Sequence, residues 1–407
     1  MARVPRRVLV AFVTFVVAFS GGAAATARPE AAPIATRLAR ALAVPHVRAA
    51  RSAAVAVELT EGRTIFARHQ ALALVPASNQ KLAVAFAALS LLGPSYRIET
   101  VVYGEGELIG GTWNGDLVLK GFGDPTLSRG DLRALAFELR AAGIRRVTGG
   151  IEGDESYFDS RRTGPGWKRH HYLNESPPLS ALTVDRTRFR GVMSTTPALA
   201  AAKQFRLALR SVGVGVRRGA EVGVADPTAE QLATTESAPL SRIVGFMNRE
   251  SDNFTAEILL KHLGAVDEGA GTSADGAATV RRALSQASIP LDGVRIVDGS
   301  GLSPRNRLTA AALTAILVSA WRSPAVGPAF VQSLAVAGIS GTLEHRMERG
   351  PARGRVLAKT GTTRESSALS GYARGRFAFA VLQNGGPVSH FWARRAQDRF
   401  AAVLAAK

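Results

Sequence analysis

Cysteine is absent from the 407 residues. This absence excludes a disulfide framework, a thiolate metal site, a cysteine nucleophile and lipid attachment through an N-terminal cysteine. Aromatic residues make up only 6% of the chain, whereas hydrophobic residues make up 46%. A chain of this length and composition can bury a substantial aliphatic core. We therefore predict a globular protein that is stabilised by packing alone.

Acidic residues and lysine are also scarce. The chain has 32 acidic against 51 basic residues, for a formal net charge of +19, and only seven of the basic residues are lysines. Such a balance often marks a nucleic-acid-binding protein, but here the basic residues are scattered and are not interleaved with aromatic residues. We expect no nucleic-acid partner. An anionic cell-wall polymer fits the charge better, and arginine-rich genome composition explains it equally well.

The first 27 residues have the pattern of a secretory signal peptide. A basic start, MARVPRR, precedes the apolar stretch Val8–Phe19 and a small-residue end, with Ala27 as the last residue removed. The apolar stretch is short for a membrane span of about 20 residues, and an uncleaved N-terminal anchor is the alternative. We expect an exported protein, periplasmic or extracellular, that is associated with the cell wall and has at most peripheral membrane contact.

The remaining sequence predicts an α/β chain. From Ala53 the text AAVAVELTEGRTIFARH predicts a β-hairpin, and the apolar run Leu82–Leu92 predicts a fully buried helix. Short strand-like pieces broken by glycines predict a separate, mostly β module from about residue 96 to about residue 240. Helical patterns follow, then three strands and a last helix from about Ser389. The apolar face of this last helix is predicted to pack on a sheet.

A serine and a lysine lie where the buried helix is predicted to begin. Ser78 and Lys81, in VPASNQKLAV, project from one face of a helix, so that the amine can reach the hydroxyl. Burial and the positive end of the helix both disfavour the ammonium form. A neutral lysine can take the serine proton and produce a nucleophile without a histidine. Alone, S-x-x-K is equally consistent with a solvated lysine near a helix cap.

The string S-D-N occurs once, at Ser251–Asn253, in a break between two helical stretches. The Ser251 hydroxyl can relay a proton between Lys81 and a leaving amine. The Asn253 amide can hold both the lysine and a substrate amide in register. Alone, this string is most often a plain helix N-cap.

The string K-T-G occurs once, beginning at Lys359, inside GRVLAKTGTT on a predicted strand edge. Lys359 there offers positive charge, and Thr360 and Thr362 offer hydroxyls to a carboxylate. Gly361 lets a substrate backbone lie close to the strand. The backbone N–H groups of Ser78 and Thr362 are candidates for an oxyanion hole. Alone, such a triplet is commonly a surface turn.

Together and in this order, the three strings are the motif set of β-lactamases and penicillin-binding proteins. The chain resembles the serine-type D-alanyl-D-alanine carboxypeptidase and endopeptidase family, the low-molecular-mass class C penicillin-binding proteins. Other segments that look like this family extend the resemblance over nearly the whole chain after residue 27: PASNQKL, GDLVLKGFGDPTL, GPGW, SDNFTAEILLKHLG, DGSGLSPRNRLT and AGISGTLEHRM.

The resemblance implies a β-lactamase/transpeptidase-like catalytic domain, in which an antiparallel sheet lies between helical layers. This domain would comprise residues 28–95 and 241–407 and would be split by one inserted β-rich domain over residues 96–240. The chain lacks a second inserted domain that fuller members have after LSALTVDRTRFRGV. The contacts that this second domain makes in fuller members, with wall polymer or with another subunit, are therefore not expected of this chain.

The resemblance also implies hydrolysis of D-Ala-D-Ala in peptidoglycan stem peptides, with β-lactams as covalent inhibitors. The implied roles are nucleophile for Ser78, general base for Lys81, relay and positioning for Ser251 and Asn253, and carboxylate binding for Lys359, Thr360, Gly361 and Thr362. No cofactor is implied. The seven histidines show no zinc-type spacing, so no metal site is expected.

Two alternatives stay open. One is a β-lactamase or esterase of the same fold, but a class A β-lactamase needs a glutamate in an E-x-x-L-N type loop, and no such string occurs between Asn253 and Lys359. The stretch between Ser78 and Ser251 is also too long for a compact β-lactamase. The other alternative is a non-catalytic wall-binding or sensor protein, which has no use for a serine and a lysine so placed.

Overall fold

The structure is a computed structural model that describes residues 32–407. Within this range the α-helices are α1 (Ile34–Leu42), α2 (Gln80–Leu92), α3 (Arg129–Ala141), α4 (Pro197–Ser211), α5 (Leu240–Arg249), α6 (Asn253–Glu268), α7 (Ser273–Gln286), α8 (Ala310–Arg322), α9 (Gly327–Gln332) and α10 (His390–Ala405). The strands are β1 (Ser52–Glu58), β2 (Thr64–Arg68), β3 (Glu99–Ile109), β4 (Thr112–Gly121), β5 (Arg146–Val147), β6 (Ile151–Asp154), β7 (Arg188–Phe189), β8 (Val192–Met193), β9 (Gly215–Val216), β10 (Ala220–Val222), β11 (Glu230–Glu236), β12 (Ala335–Val336), β13 (Val356–Thr363), β14 (Ser366–Ala373) and β15 (Phe377–Asn384).

One sheet is antiparallel throughout and has six strands in the order β12-β13-β14-β15-β1-β2. The hairpin predicted from Ala53 is present as β1 and β2. The three strands predicted near the end of the sequence are β13, β14 and β15, which pair in succession. Strand β1 is buried at every position, which shows that both faces of the sheet are covered.

Helices cover both faces of this sheet. Side chains alternate between the two faces of a strand, and in β1 this alternation divides the core. Val55 and Val57 pack with the helical layer of α2, α5, α6, α7 and α8. Ala54 and Ala56 pack with α1 and α10 on the other face. The predicted arrangement of an antiparallel sheet between helical layers is therefore confirmed.

Helix α2 lies inside the first helical layer, and its residues from Gln80 to Leu89 are buried. This burial explains why the run is apolar on every side and shows no helical periodicity. The helix ends at Gly93, which has a positive φ of 83°. Ser78 does not cap α2, because it lies in the 3₁₀ turn Ala77–Asn79 that leads into the helix.

Residues 96–240 contain a second, seven-stranded sheet and the two-stranded sheet of β7 and β8. Helices α3 and α4 pack on the seven-stranded sheet, and neither helix was predicted. The start of α3 carries a recognisable signal, because Ser128 and Asp131 form a capping box.

Within residues 32–407 no helix is long and apolar enough to cross a membrane. The predicted signal peptide, residues 1–27, lies outside the described residues.

Helix α10 packs its apolar face on the sheet, as predicted. Phe400 is fully buried there, with its ring centroid 5.5 Å from that of Phe66 and 6.2 Å from that of Phe379.

Truncation to alanine removes this packing, so Phe400→Ala should lower the free energy of unfolding by about 3–5 kcal/mol. Denaturant unfolding measures the loss. Phe391→Ala, on the same helix but 64% exposed, should change the free energy by less than about 0.5 kcal/mol; equal losses would contradict this packing.

Candidate active site

Ser78 lies where the turn before α2 meets strand β13. A Cβ atom on Gly361 would lie 2.9 Å from the carbonyl oxygen of Pro76, so only glycine lets β13 come this close to the turn without a shift. The Asn79 side chain donates a hydrogen bond from Nδ2 to the carbonyl oxygen of Lys359, over 3.1 Å. These two contacts fix Ser78 beside the strand that carries the K-T-G motif.

Lys81 is fully buried one turn after Ser78. Its Nζ donates to Ser78 Oγ at 3.1 Å, to Asn253 Oδ1 at 2.8 Å and to the carbonyl oxygen of Ser300 at 2.6 Å. Burial lowers the pKa of Lys81 from its ordinary value to about 8, against the opposing effect of nearby carboxylates such as Asp298. The amine is therefore neutral in a usable fraction of molecules near neutral pH and lies within reach of the serine proton.

The S-D-N motif joins the site from the turn between α5 and α6. Ser251 has a positive φ of 60°, a strained conformation for a residue with a side chain. Asn253 is the first residue of α6, and its Nδ2 donates to the carbonyl oxygen of Glu175 at 3.0 Å. Since its Oδ1 accepts from Lys81, both ends of the amide are used and its orientation is fixed.

Asp252, between these two residues, fixes the turn. Its carboxylate accepts the backbone N–H of Thr255 at 2.8 Å and a two-point contact from Arg186 at 2.7 and 3.1 Å. Burial alone would raise the pKa of Asp252, but the hydrogen bonds and the charge of Arg186 outweigh it and the pKa is lowered. Sequence reasoning missed Arg186, because no spacing links it to the motif that it supports.

Lys359 joins the K-T-G motif to Ser251. Its Nζ is buried and donates to Ser251 Oγ at 2.8 Å and to the carbonyl oxygen of Thr360 at 3.0 Å. Burial, together with the charge of Lys81, holds the pKa of Lys359 well below its ordinary value. Thr360 points to the other side of the strand and donates to Thr342 Oγ1 at 2.7 Å.

A cleft of about 540 Å³ opens onto these groups. It is lined by Ser78, Glu175, Ser251, Asn253, Leu302, Gly341, Thr342, His345, Arg346, Thr360, Thr362 and Arg394. Strand β12 pairs with β13 only up to Ala358. In the described range, the edge of β13 from Lys359 onward thus has no strand partner, and an extended peptide can pair with it.

The segment DGSGLS, quoted above as similar to the family, lies directly beneath Ser78. Asp298 accepts the backbone N–H groups of Gly301 at 2.9 Å and Ser303 at 2.8 Å, and Trp167 Nε1 at 2.8 Å. Gly301 has a φ of 87° and contacts the backbone of the turn that carries Ser78 so closely that a Cβ atom would overlap it. Sequence reasoning gave this loop no role, because its contribution to Lys81 is a backbone carbonyl.

Metal ligands form no cluster in this part of the molecule or elsewhere in the described range. No group of three or more His, Cys, Asp or Glu side chains within residues 32–407 is placed to hold a metal ion. The site offers nucleophilic chemistry. Ser78 lies beside the buried Lys81 amine, and Ser251 lies beside the buried Lys359 amine, next to the open edge of β13. This arrangement defines an active-site-serine hydrolase.

The family follows from comparison with known proteins. Residues 34–193 and 187–407 match the model of peptidase family S13, described as the D-Ala-D-Ala carboxypeptidase 3 family. The chain belongs to this family. The family predicted from the three motifs is therefore confirmed.

The chain also aligns with most of the length of known D-Ala-D-Ala carboxypeptidases and related proteins. The chain is 32% identical to a D-alanyl-D-alanine carboxypeptidase of Actinomadura sp. strain R39, over 84% of this chain and 79% of the relative. It is 31% identical to a carboxypeptidase of Mycobacterium tuberculosis, over 93% of this chain and 85% of the relative. Its fold matches the crystal structure of penicillin binding protein 4 from Haemophilus influenzae with a TM-score of 0.77 and 21% identity, covering 90% of this chain and 97% of that one. The fold class is thus also confirmed.

The lowered pKa of Lys81 can be measured directly, because the chain has only seven lysines. We expect one side-chain amine resonance to titrate near pH 8 in NMR spectra of protein labelled at lysine, since burial disfavours the ammonium. Lys81→Ala, Lys261→Ala and Lys359→Ala variants assign the three buried amines. A Lys81 signal without a titration step near pH 8 would contradict this description of the site.

Proposed function

We propose that this D-Ala-D-Ala carboxypeptidase cuts the terminal peptide bond of peptidoglycan stem peptides through an acyl-enzyme on Ser78. The observation that carries the proposal is the position of the buried Lys81 amine, 3.1 Å from Ser78 Oγ. A lysine held in this way is a base that can activate the serine near neutral pH. A binding module gains nothing from such a costly group.

In the acylation step, Ser78 Oγ attacks the carbonyl carbon of the penultimate D-alanine and its proton passes to Lys81 Nζ. The backbone N–H groups of Ser78 and Thr362 stabilise the oxyanion of the tetrahedral intermediate. The C–N bond then breaks, and the leaving amine receives a proton that Ser251 relays. D-Alanine departs, and the shortened stem is held as an ester on Ser78.

In the deacylation step, water attacks the ester carbonyl and passes its proton to Lys81. The C–O bond to Ser78 breaks, and the serine recovers its proton. The shortened stem leaves as a free carboxylate. Asn253 supports both steps, because its amide oxygen accepts from Lys81 at 2.8 Å and keeps the amine directed at the reacting atoms.

The K-T-G strand binds the terminal carboxylate of the substrate in this proposal. Thr360 and Thr362 line the cleft, and Lys359 lies behind Ser251 at 2.8 Å from its hydroxyl. Burial disfavours the ammonium of Lys359, and an incoming carboxylate favours it. Gly361 lets the substrate backbone approach the open edge of β13.

The same site accounts for two further activities that we propose. β-Lactams carry a strained amide and a carboxylate in the places of the scissile bond and the terminal carboxylate, and we expect them to acylate Ser78. The fold relative from H. influenzae has been solved in complex with a β-lactam. An open cleft also admits a cross-linked peptide in place of D-alanine, which is the D,D-endopeptidase reaction.

We further propose that residues 96–240 form an inserted domain and that the protein acts in the cell wall after export. The strands of the seven-stranded sheet all fall between Glu99 and Glu236, and none of them belongs to the six-stranded sheet. The net charge of +19 suits an anionic wall polymer.

Intact-mass measurement after incubation with benzylpenicillin tests the proposed function. The wild-type chain should gain the mass of one penicillin, and Ser78→Ala should gain none, because it lacks the nucleophile. Ser90→Ala, an exposed serine on α2, is the matched control and should behave like the wild type. An adduct that persists in Ser78→Ala would refute the assignment of the nucleophile, and rapid hydrolysis of penicillin without an adduct would favour a β-lactamase.

A further inference from the structure

Glu257 is a fully buried carboxyl group to which none of the three motifs assigns a role. It lies on α6 four residues after Asn253 and therefore on the same face of the helix. Its Oε1 accepts two backbone N–H groups, those of Gly299 at 2.9 Å and Ser300 at 2.8 Å. Glu257 thus connects α6 to the loop beneath the nucleophile.

One of these two hydrogen bonds holds Ser300, the residue whose carbonyl oxygen accepts from the catalytic amine. The carbonyl oxygen of Ser300 accepts from Lys81 Nζ at 2.6 Å, the shortest of the three contacts of that amine. The N–H of the same residue is held by Glu257. The position of the carbonyl, and with it that of the amine beside Ser78, therefore depends on the Glu257 side chain.

The second oxygen of Glu257 distinguishes this group from an ordinary structural acceptor. Its Oε2 is buried and has no hydrogen-bond partner in the described part of the chain. A Cβ atom on Gly164, in the GPGW segment, would lie 3.1 Å from Glu257 Cδ, so the segment closes over the carboxyl. A buried oxygen without a partner is unfavourable. Such costly groups concentrate at functional sites.

The charge of Glu257 is coupled to its neighbours. Burial, with the nearby Asp298 carboxylate, raises the pKa of Glu257 to about 8, so the group is mostly neutral at neutral pH. When Glu257 is charged, it favours the ammonium forms of Lys81 and of Lys261. The charged groups that bear on Lys81 besides Glu257 are Asp298, Asp252, Glu175 and Lys359.

We infer that Glu257 is a positioning residue, which holds Ser300 so that its carbonyl keeps the Lys81 amine against Ser78. The inference rests on the proposed function, because it assumes that Lys81 is the base. Glu257 itself does not touch the substrate. Its Oε1 atom holds the loop, and its neutral form leaves the Lys81 amine free to lose its proton.

Two substitutions separate positioning from mere packing. Glu257→Gln keeps an oxygen for both N–H groups and removes the ionisable proton, whereas Glu257→Leu removes the acceptor. Asp154→Asn is the matched control: Asp154 is fully buried in the seven-stranded sheet and accepts the N–H groups of Ser156 at 2.7 Å and Ala225 at 3.0 Å. The measured quantities are the second-order rate constant for acylation by benzylpenicillin, from about pH 6 to about pH 10, and the melting temperature.

Glu257→Gln should acylate within about threefold of the wild-type maximum, and its ascending limb should move to lower pH, because a charge that favours the Lys81 ammonium is gone. Glu257→Leu should lose about tenfold or more at every pH. Asp154→Asn should lower the melting temperature and leave the pH profile unchanged.

A folded Glu257→Leu protein that acylates at the wild-type rate would overturn the inference. If that variant does not fold, an unshifted profile for Glu257→Gln overturns it instead. The wild-type protein separates this inference from the proposed function: a wild type that forms no adduct refutes the function, whereas an adduct with unaltered Glu257 variants refutes only the positioning role.

Discussion

The burial of one lysine is the constraint on which the rest of this site depends. Lys81 is fully buried in a helical layer, and its amine has three acceptors. Each acceptor comes from a different segment: the turn before α2, the start of α6, and the loop of residues 298–303. Because the amine must satisfy all three, it holds these segments in register, and the nucleophile is placed as a result.

The use of lysine elsewhere follows the same logic. Only seven of the 51 basic residues are lysines, and three of these, Lys81, Lys261 and Lys359, are fully buried. Arginine keeps its charge under almost all conditions, so it can serve the surface but cannot act as a base near neutral pH. Lysine loses its proton readily when buried. Two of the three buried lysines, Lys81 and Lys359, lie in the active site, where a variable charge is useful.

Local sequence determined the parts of the fold and site that could be predicted. Ser78 and Lys81 are one turn apart. Alternating apolar residues signal the hairpin and the last three strands, and an uninterrupted apolar run that stops at Gly93 signals α2. The predicted grouping of S-D-N and K-T-G with this pair came from the family resemblance, since 108 residues separate Ser251 from Lys359. A local sequence pattern cannot encode a contact between residues so far apart in the chain.

The supporting residues could not be predicted for a physical reason. Ser300 contributes through a backbone carbonyl, which any residue type possesses. Glu257 and Arg186 act on other protein groups and not on substrate, so their residue types carry no motif. Helix α3 was missed although Ser128 and Asp131 cap it, because the glycine-broken strands around it dominated the interpretation of that region.

The pH dependence of acylation tests the central claim most directly. If neutral Lys81 is the base that activates Ser78, the second-order rate constant for reaction with benzylpenicillin should rise with pH along a limb whose midpoint lies near the Lys81 pKa of about 8. This constant reports the free enzyme, in which the amine has the contacts described above. A rate constant that is already at its plateau well below that midpoint would contradict the account, because a protonated Lys81 cannot accept the serine proton.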